Sequence, residues 1–352
     1  MKKMVKDNLS LGIESSCDET AVSVVGGDRA ILSNYIQSQN SEHKPYGGVV
    51  PELGARAHLE AMDTLIQSAL EQAGVTFQDL DLIAVTGGPG LIGGIIVGVM
   101  TAKAIAAFHR KPLVVVNHLE GHALAVRLTE EVEFPYLLLL MSGGHTQFLL
   151  VQKPNEYKCL GTTLDDAVGE CFDKVAKIIG LGFPGGPAVE KAATKGDGTK
   201  FKFPRPLARR PGCDFSFSGL KTAVRFQVES MGDLTEKDSQ DLAASFQTAV
   251  GDVLVERSRN AFQLAAEHMP RCGTFVVSGG VAANHYLRSR LEQAAQENSL
   301  RFCAPPVSLC TDNGAMIAWA GLERFKLGLI DGMDFAPRPR WPLEELSATC
   351  TS

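Results

Sequence analysis

A chain of 352 residues with 45% hydrophobic and 21% charged positions is globular, with core enough for two domains. Its eight cysteines form no CxxC pair, which argues against a disulfide scaffold and suits a reducing compartment; its net charge of −6 argues against indiscriminate nucleic-acid binding but leaves room for a local basic patch. The richest apolar run, 91–107, is broken by glycines, Thr101 and Lys103 and so reads as loop and helix, not as a membrane span, and MKKMVKDN at the start lacks the apolar core of a secretory leader.

The run 9–14 predicts a strand that ends in ESSCDET, and 21–25 predicts a second. Ser15, Ser16, Asp18 and Thr20 can direct amides and hydroxyls into a cleft, although a solvated hairpin is the plainer reading. KPYGGVVPELGARAHLE joins a Pro/Gly turn to a helix that begins near Pro51 and carries Glu52, Arg56 and His58; a cleft-edge loop and a plain loop both suit it. A strand at 82–85 then leads into TGGPGLIGGIIVGVMTAKAIA, which is glycine loop plus helix. Gly88, Gly90 and Gly93 satisfy GxGxxG, the dinucleotide fingerprint. Such a unit also wants an acidic residue about twenty positions on, at the end of the next strand. Here that strand, 113–116, ends in Asn117 and His118.

Beyond it, NHLEGHALAVRL sets His118 and His122 four residues apart, on one face of a helix that Asn117 would cap. The pair lies just past the carboxyl end of a strand, where open α/β sheets hold their ligands. It reads either as metal ligands or as ordinary polar residues of a helix. Two neutral imidazoles leave a divalent cation without a negative ligand, so the metal reading predicts a carboxylate from elsewhere in the chain. Asp312, in LCTDNGAMIAWAG, is the candidate, and it can equally serve as the N-cap of the helix that follows. Glu120 stands two residues after His118, displaced from its place in the HExxH of a peptidase, and would point away from the metal face.

The second half begins as the first does. Strands at 136–141 and 147–151 flank SGGHT, and a strand at 274–277 leads into SGGVAANHYLRSRLEQAA, glycine turn plus helix. Each half thus reads as a hairpin, a strand, a double-glycine turn and a helix, which predicts a duplicated α/β domain whose facing glycine turns let amides approach phosphate. Between these repeats, LDDAVGECFDKVAKIIGLGFPGGPAVEK carries Asp165, Asp166, Asp173 and Lys174 at helical spacings, then a turn at Gly185, Gly186 and Pro187. Asp173 can receive a ribose hydroxyl or simply be solvated. Residues 195–210 hold Lys195, Lys200, Lys202, Arg205, Arg209 and Arg210 against a single acid, Asp197, with Phe201 and Phe203 among them. That interleaving suits an RNA backbone with splayed bases, and a solvated loop is the alternative. DFSFSGLKTAVRF returns the chain to helix; after Trp319 come an amphipathic segment and a Pro-rich tail.

Taken together and in order, LGIESSCDET, KPYGGVVPELGARAH, TGGPGLIGG, NHLEGH, SGGHTQ, DDAVGECFDK, PGGP, DFSFSGLKT, SGGVAAN and TDNGAMIA resemble the TsaD family, the tRNA adenosine threonylcarbamoyltransferases. Ten motifs in one order are specific where a lone glycine loop is not. The resemblance implies an α/β, duplicated actin-like, sugar-kinase-like (ASKHA) fold with two lobes and an interlobe cleft. Its lobes would be 1–132 and 133–322, with a terminal helix and tail, 323–352, returning to the first. It implies transfer of threonylcarbamoyl from threonylcarbamoyl-AMP to the exocyclic amine of the adenosine beside the anticodon, in tRNAs reading codons that begin with A. It makes His118, His122 and Asp312 the ligands of one divalent metal ion, iron (Fe2+) first and zinc second. It sets Leu140, Met141, Ser142, Gly143, Gly144, Asp173, Gly186, Glu190 and Asn284 against the adenylate or its acyl group. Glu190 stands where relatives commonly carry aspartate, and Met141 where they carry valine.

SGGHT with His145 resembles the bacterial or organellar branch of that family, which implies a TsaB-like paralogue, a TsaE-like ATPase and a separate synthase as partners. It also implies a cytoplasmic protein with no membrane contact, or a mitochondrial one if a presequence is removed. Attack of a weakly nucleophilic adenine amine on a carbamoyl-phosphate anhydride needs a polarised carbonyl, a stabilised leaving phosphate and close placement. The metal suits the first, the SGG amides the second, and Asp18 or Glu19 would take the proton. Arg205, Arg209 and Arg210 would hold tRNA phosphates, with Phe201 and Phe203 under unpaired bases. Two other classes remain as alternatives: a sugar or acid kinase of the same fold, needing neither the histidine pair nor an RNA surface, and a non-catalytic nucleotide-binding scaffold.

Overall fold

The computed structural model describes residues 8–46, 48–270 and 273–348. The chain divides into two compact units, one made of residues up to 131, 154–157 and those from 311 on, the other of 132–153 and 158–310.

The first unit is built on a five-stranded sheet in the order β3-β2-β1-β4-β5. Strands β1 (Leu9–Glu14), β2 (Glu19–Gly26) and β3 (Ile31–Ser38) form an antiparallel meander, while β4 (Leu82–Gly88) and β5 (Leu113–Asn117) run parallel to β1. The sequence LVVVN of β5 is buried throughout, as the continuous apolar run of a strand covered on both faces should be. Helix α1 (Pro51–Ala73) opens with proline in its first turn and ends at Gly74 in the left-handed region, φ 66°. Helices α1 and α2 (Ile92–His109) cover one face of the sheet. The other face takes α9 (Gly314–Lys326), so close to β1 that a Cβ on Gly12 would lie 2.3 Å from the Gly314 carbonyl. That packing moves the expected lobe boundary. The second unit ends at 310 and not at 322, because the small residues Gly314, Ala318 and Gly321 seat α9 on the first unit's sheet. The tail follows the same unit: the Asp331 carboxylate accepts from Val115 N–H at 2.7 Å, and Asn117 donates to the Trp341 carbonyl at 2.8 Å.

The second unit repeats the plan, with a sheet in the order β10-β9-β6-β7-β8. Strands β6 (Tyr136–Met141), β7 (Thr146–Lys153) and β8 (Glu156–Thr162) correspond to the meander, and β9 (Thr274–Ser278) and β10 (Arg301–Cys303) to the parallel pair. Between β8 and β9 stand α4 (Val168–Ile178), α5 (Gly185–Ala193), α6 (Ser218–Met231) and α7 (Glu236–Ala265), and α8 (His285–Glu297) follows β9. Helix α7 starts at a capping box between Thr235 and Asp238, and its Phe246 meets Phe172 of α4 edge-on in the core. The duplication predicted from the paired glycine turns is therefore present. Each repeat has a third antiparallel strand, β3 and β8, and a second parallel one, that the motif comparison leaves out.

Helix α2 is long and apolar enough to cross a membrane by length and composition alone, yet it packs on β4 and α1, and a third of it is buried. Its glycine and alanine side packs inward, while Ile92, Ile96 and Met100 are exposed at four-residue intervals along one stripe. A helix apolar on both sides, with protein on only one, presents a surface that wants a partner.

Candidate functional site

Strand β5 ends at Asn117, whose carboxamide oxygen accepts from Leu119 N–H at 2.9 Å and so starts α3 (His118–Leu124) as the sequence predicts. All seven residues of α3 are buried. The two imidazoles share one face, ring centroids 4.8 Å apart, and Asp312 meets them there: its Oδ1 lies 3.0 Å from Nε2 of His122 and 3.5 Å from Nε2 of His118. The alternative role for Asp312 goes instead to its neighbour, for Asn313 caps α9 by accepting from Met316 N–H at 2.9 Å.

The donor atoms of His118, His122 and Asp312 all lie within 4.8 Å of one another. Metal–ligand bonds of about 2.0–2.2 Å put neighbouring donors roughly 3 Å apart, so the two Asp312 separations fit cis ligands of one ion. The surroundings fit a cation too. Glu14, at the end of β1, accepts from Ser16 N–H at 2.6 Å, from the Thr86 hydroxyl at 2.5 Å and from Nδ1 of His118 at 3.0 Å. A carboxylate on Nδ1 fixes the ring and leaves Nε2 to the ion. Burial opposes charge on His118, yet Asp312 and Glu14 on its two sides carry it up to about 9. Burial likewise works against the Glu14 carboxylate, but His118 holds it below its ordinary range. Burial, then Asp312 and Asp18, push Glu19 up to about 10. Two carboxylates, Glu14 and Asp312, set against the two imidazoles suit a bound cation. Sequence reasoning missed Glu14, although its place at the carboxyl end of β1, beside β4 and Thr86, is where such a sheet gathers its site.

In the second unit, Gly143, Asp173, Gly186, Glu190 and Asn284 line one cavity of about 190 Å3, together with Gly169, Gly280 and Val281. That volume is below the roughly 300 Å3 of a complete small-molecule site and admits part of a nucleotide. Gly143, Gly144, Gly186 and Gly280 have open space where a Cβ would stand. Asp173 accepts from Gly185 N–H at 2.7 Å, closing the turn into α5, and Glu190 accepts from His285 N–H at 2.7 Å. Asn284 is spent on the frame: its oxygen caps α8 through Leu287 N–H, and its amide donates to Gln247 at 2.8 Å.

Other expected site residues lie outside the lining of that cavity. Leu140 and Met141 are wholly buried in β6, paired to β7 and, for Leu140, to β9, so their side chains serve the core and do not line the cavity. Ser142 is outside the lining too, closing SGGHT into a turn by donating N–H to the His145 carbonyl at 2.8 Å. The first glycine loop is filled by its own unit and does not face phosphate: a Cβ on Gly88 would lie 1.8 Å from the Arg338 carbonyl, and one on Gly90 2.4 Å from that of Ser16. The fingerprint glycines are there for this packing. In the basic loop, Phe203 is buried in the core and cannot stack on a base, and Arg205 is held by Asp252 at 2.6 Å. Lys200 pairs with Asp241, whereas Arg209 and Arg210 are exposed beside Glu256 and Asn260.

A family model described as TsaD, tRNA N6-adenosine threonylcarbamoyltransferase, matches residues 30–319. The chain is 59% identical over 341 residues to the tRNA N6-adenosine threonylcarbamoyltransferase of Rhodospirillum rubrum, covering 95% of this chain and 94% of the relative. It is 58% identical over 337 residues to that of Paramagnetospirillum magneticum, covering 96% and 97%. Among solved structures it is similar to HypF of T. kodakarensis, with TM-score 0.62 and 16% identity over 92% of this chain and 48% of that one. It is also similar to component A of the (R)-2-hydroxyglutaryl-CoA dehydratase of Acidaminococcus fermentans, with TM-score 0.52 and 16% identity over 90% and 98%. At such identities the likeness to both concerns the fold alone, the two-lobe ASKHA architecture.

Proposed function

The chain belongs to the TsaD family, the tRNA N6-adenosine threonylcarbamoyltransferases, and from that premise we propose how its residues divide the transfer of threonylcarbamoyl to the exocyclic amine of a tRNA adenosine. The acceptor in this reading is the adenosine beside the anticodon in tRNAs reading codons that begin with A. The donor is threonylcarbamoyl-AMP, received from a separate synthase. The observation that carries the donor is the cavity rimmed by open glycines, where amides at Gly143 and Gly280 can approach phosphate and Asp173 and Glu190 offer carboxylates toward ribose.

The amine nitrogen attacks the carbamoyl carbon, the bond from that carbon to the phosphate oxygen breaks, and AMP leaves. The proton released from nitrogen passes to Asp18, in the turn that follows β1. His118, His122 and Asp312 would hold one divalent ion, Fe2+ in our reading of a two-histidine, one-carboxylate set and Zn2+ as the alternative. When bound, that ion supplies Lewis-acid polarisation of the acyl carbonyl. We assign the exposed stripe of α2, Ile92, Ile96 and Met100, to a TsaB-like paralogue, with a TsaE-like ATPase completing a cytoplasmic system.

Incubating the protein with threonylcarbamoyl-AMP, substrate tRNA, the paralogue and the ATPase should give modified tRNA and AMP in equal amounts. Omitting the paralogue, or introducing Met100→Glu, should stop turnover. Phosphorylation of a sugar from ATP at enzyme-like rates, with no modified tRNA, would favour the kinase reading instead. For tRNA binding, the exposed pair is decisive. Arg209→Ala with Arg210→Ala should weaken tRNA affinity and lower its salt slope by roughly one for each phosphate no longer held, with donor binding intact. An unchanged affinity and slope would remove the loop from the RNA surface.

A further inference from the structure

Four buried polar side chains that the chemistry above does not use, Thr20, Gln39, His43 and His58, form one chain in the first unit, none more than 1% exposed. Every hydrogen-bond direction in it follows from its ends. The Cys17 carbonyl can only accept, so Nε2 of His58, 3.1 Å away, carries the proton. Nδ1 of His58 is then an acceptor, and the Thr20 hydroxyl donates to it at 2.8 Å. Thr20 in turn accepts from the Gln39 carboxamide at 3.5 Å, which also donates to the Gly54 carbonyl at 3.3 Å. The Gln39 oxygen accepts from Nε2 of His43 at 3.2 Å, leaving Nδ1 of His43 to accept from Val50 N–H at 3.3 Å. Both rings are neutral in this arrangement, and burial keeps His58 below its ordinary value. Two glycines make room for it: a Cβ on Gly94 would lie 2.9 Å from the His58 ring, and one on Gly54 3.2 Å from the Gln39 oxygen.

The ring of His58 therefore spans the turn after β1, one nitrogen on residue 17 and the other on residue 20, with Asp18 and Glu19 between. A second tie, Gln39 N–H to the Asp18 carbonyl at 2.9 Å, holds the same turn from the end of β3. We propose that His58, acting through Thr20 and the Cys17 carbonyl, is a positioning residue that sets the Asp18 carboxylate for proton acceptance, with Gln39 and His43 extending the brace to the segment before α1. This rests on the reading of Asp18 as proton acceptor. A carboxylate displaced by about 1 Å loses on the order of 100-fold in rate.

The test is the Thr20 pair with His58→Phe in steady-state transfer, alongside Asp18→Asn. Thr20→Val keeps the shape and removes the hydroxyl, and Thr20→Ser restores it. Thr20→Val and His58→Phe should each lower kcat by about 100-fold while KM for donor and tRNA and the bound metal per chain stay at wild-type values. Thr20→Ser should recover most of kcat, and the double variant should be no worse than either single one, since both cut the same connection. Wild-type kcat in Thr20→Val, no recovery in Thr20→Ser, or additive losses in the double variant would each overturn the proposal. An unaltered kcat in Asp18→Asn would instead defeat the proton-acceptor reading, whereas an inactive Asp18→Asn beside a fully active Thr20→Val would defeat the positioning role alone.

Discussion

His122→Ala is expected to leave a folded protein that has lost its metal and its transferase activity together. The ring is wholly buried, and its Nε2 is the nitrogen nearest Asp312, at 3.0 Å. Glu14 braces His118 and not His122, so the substitution deletes a donor without touching the brace on the other ligand. Two donors remain, one carboxylate and one imidazole. Outer partners of metal ligands are worth about 10–100-fold in affinity, and loss of a ligand itself should exceed that, with transfer falling by at least as much. Alanine favours helix, and α3 keeps its Asn117 cap, so the fold should persist. Metal per chain by elemental analysis, beside a thermal unfolding curve, checks it. Full occupancy in the folded variant would exclude His122 from the ligand set.

The parts of this site that could be read from sequence are those governed by local chemistry. A strand ending in asparagine, followed by histidines four apart, specifies a capped turn with both rings on one face, and α3 is built that way. Asp312 is different: it reaches His122 across 190 positions, and beside it stands Asn313, an equally good cap, so only the resemblance separated their roles. Glu14 is invisible for the same reason, since its claim to notice depends on β4 bringing Thr86 next to it and β5 bringing His118. The partners of Lys200 and Arg205 in the basic loop are illegible locally because they are remote, with Asp241 and Asp252 arriving on α7 some forty to fifty residues later. Glycine turns of like composition divide by what crowds them: Gly88 meets the tail at Arg338, whereas Gly143 meets nothing. The burial of the Leu140 and Met141 side chains follows from local pattern alone, because an unbroken apolar run, 136–141, is that of a strand buried on both faces.

Glu120, displaced from a peptidase position, has an architectural task with a large expected effect. Its carboxylate is completely buried on α3 and points away from the two histidines. One oxygen accepts from Asn155 N–H at 2.9 Å and from the Tyr157 hydroxyl at 2.8 Å, and the other accepts from Arg324 at 3.0 Å. Arg324 is 6% exposed and also donates to the Asn155 carboxamide at 3.0 Å. Burial disfavours its charge, but Glu120 and Asp331 keep the guanidinium more firmly protonated than usual. Glu120→Ala therefore strands a guanidinium in the interior and removes the acceptor of two further donors. Breaking a buried pair from one side costs about 3–5 kcal/mol, while replacing both members by apolar residues of similar volume is often close to neutral. Urea unfolding should accordingly show Glu120→Ala destabilised by about that amount, and Glu120→Leu combined with Arg324→Met recovering most of it. Because Glu120 lies between His118 and His122 on one short helix, metal bound per chain should fall in step with the folded fraction in Glu120→Ala and return in the paired variant. A loss below about 1 kcal/mol in Glu120→Ala, the range of an exposed pair, would mean that α3 is held by its packing alone and that the network behind the histidines does not anchor it.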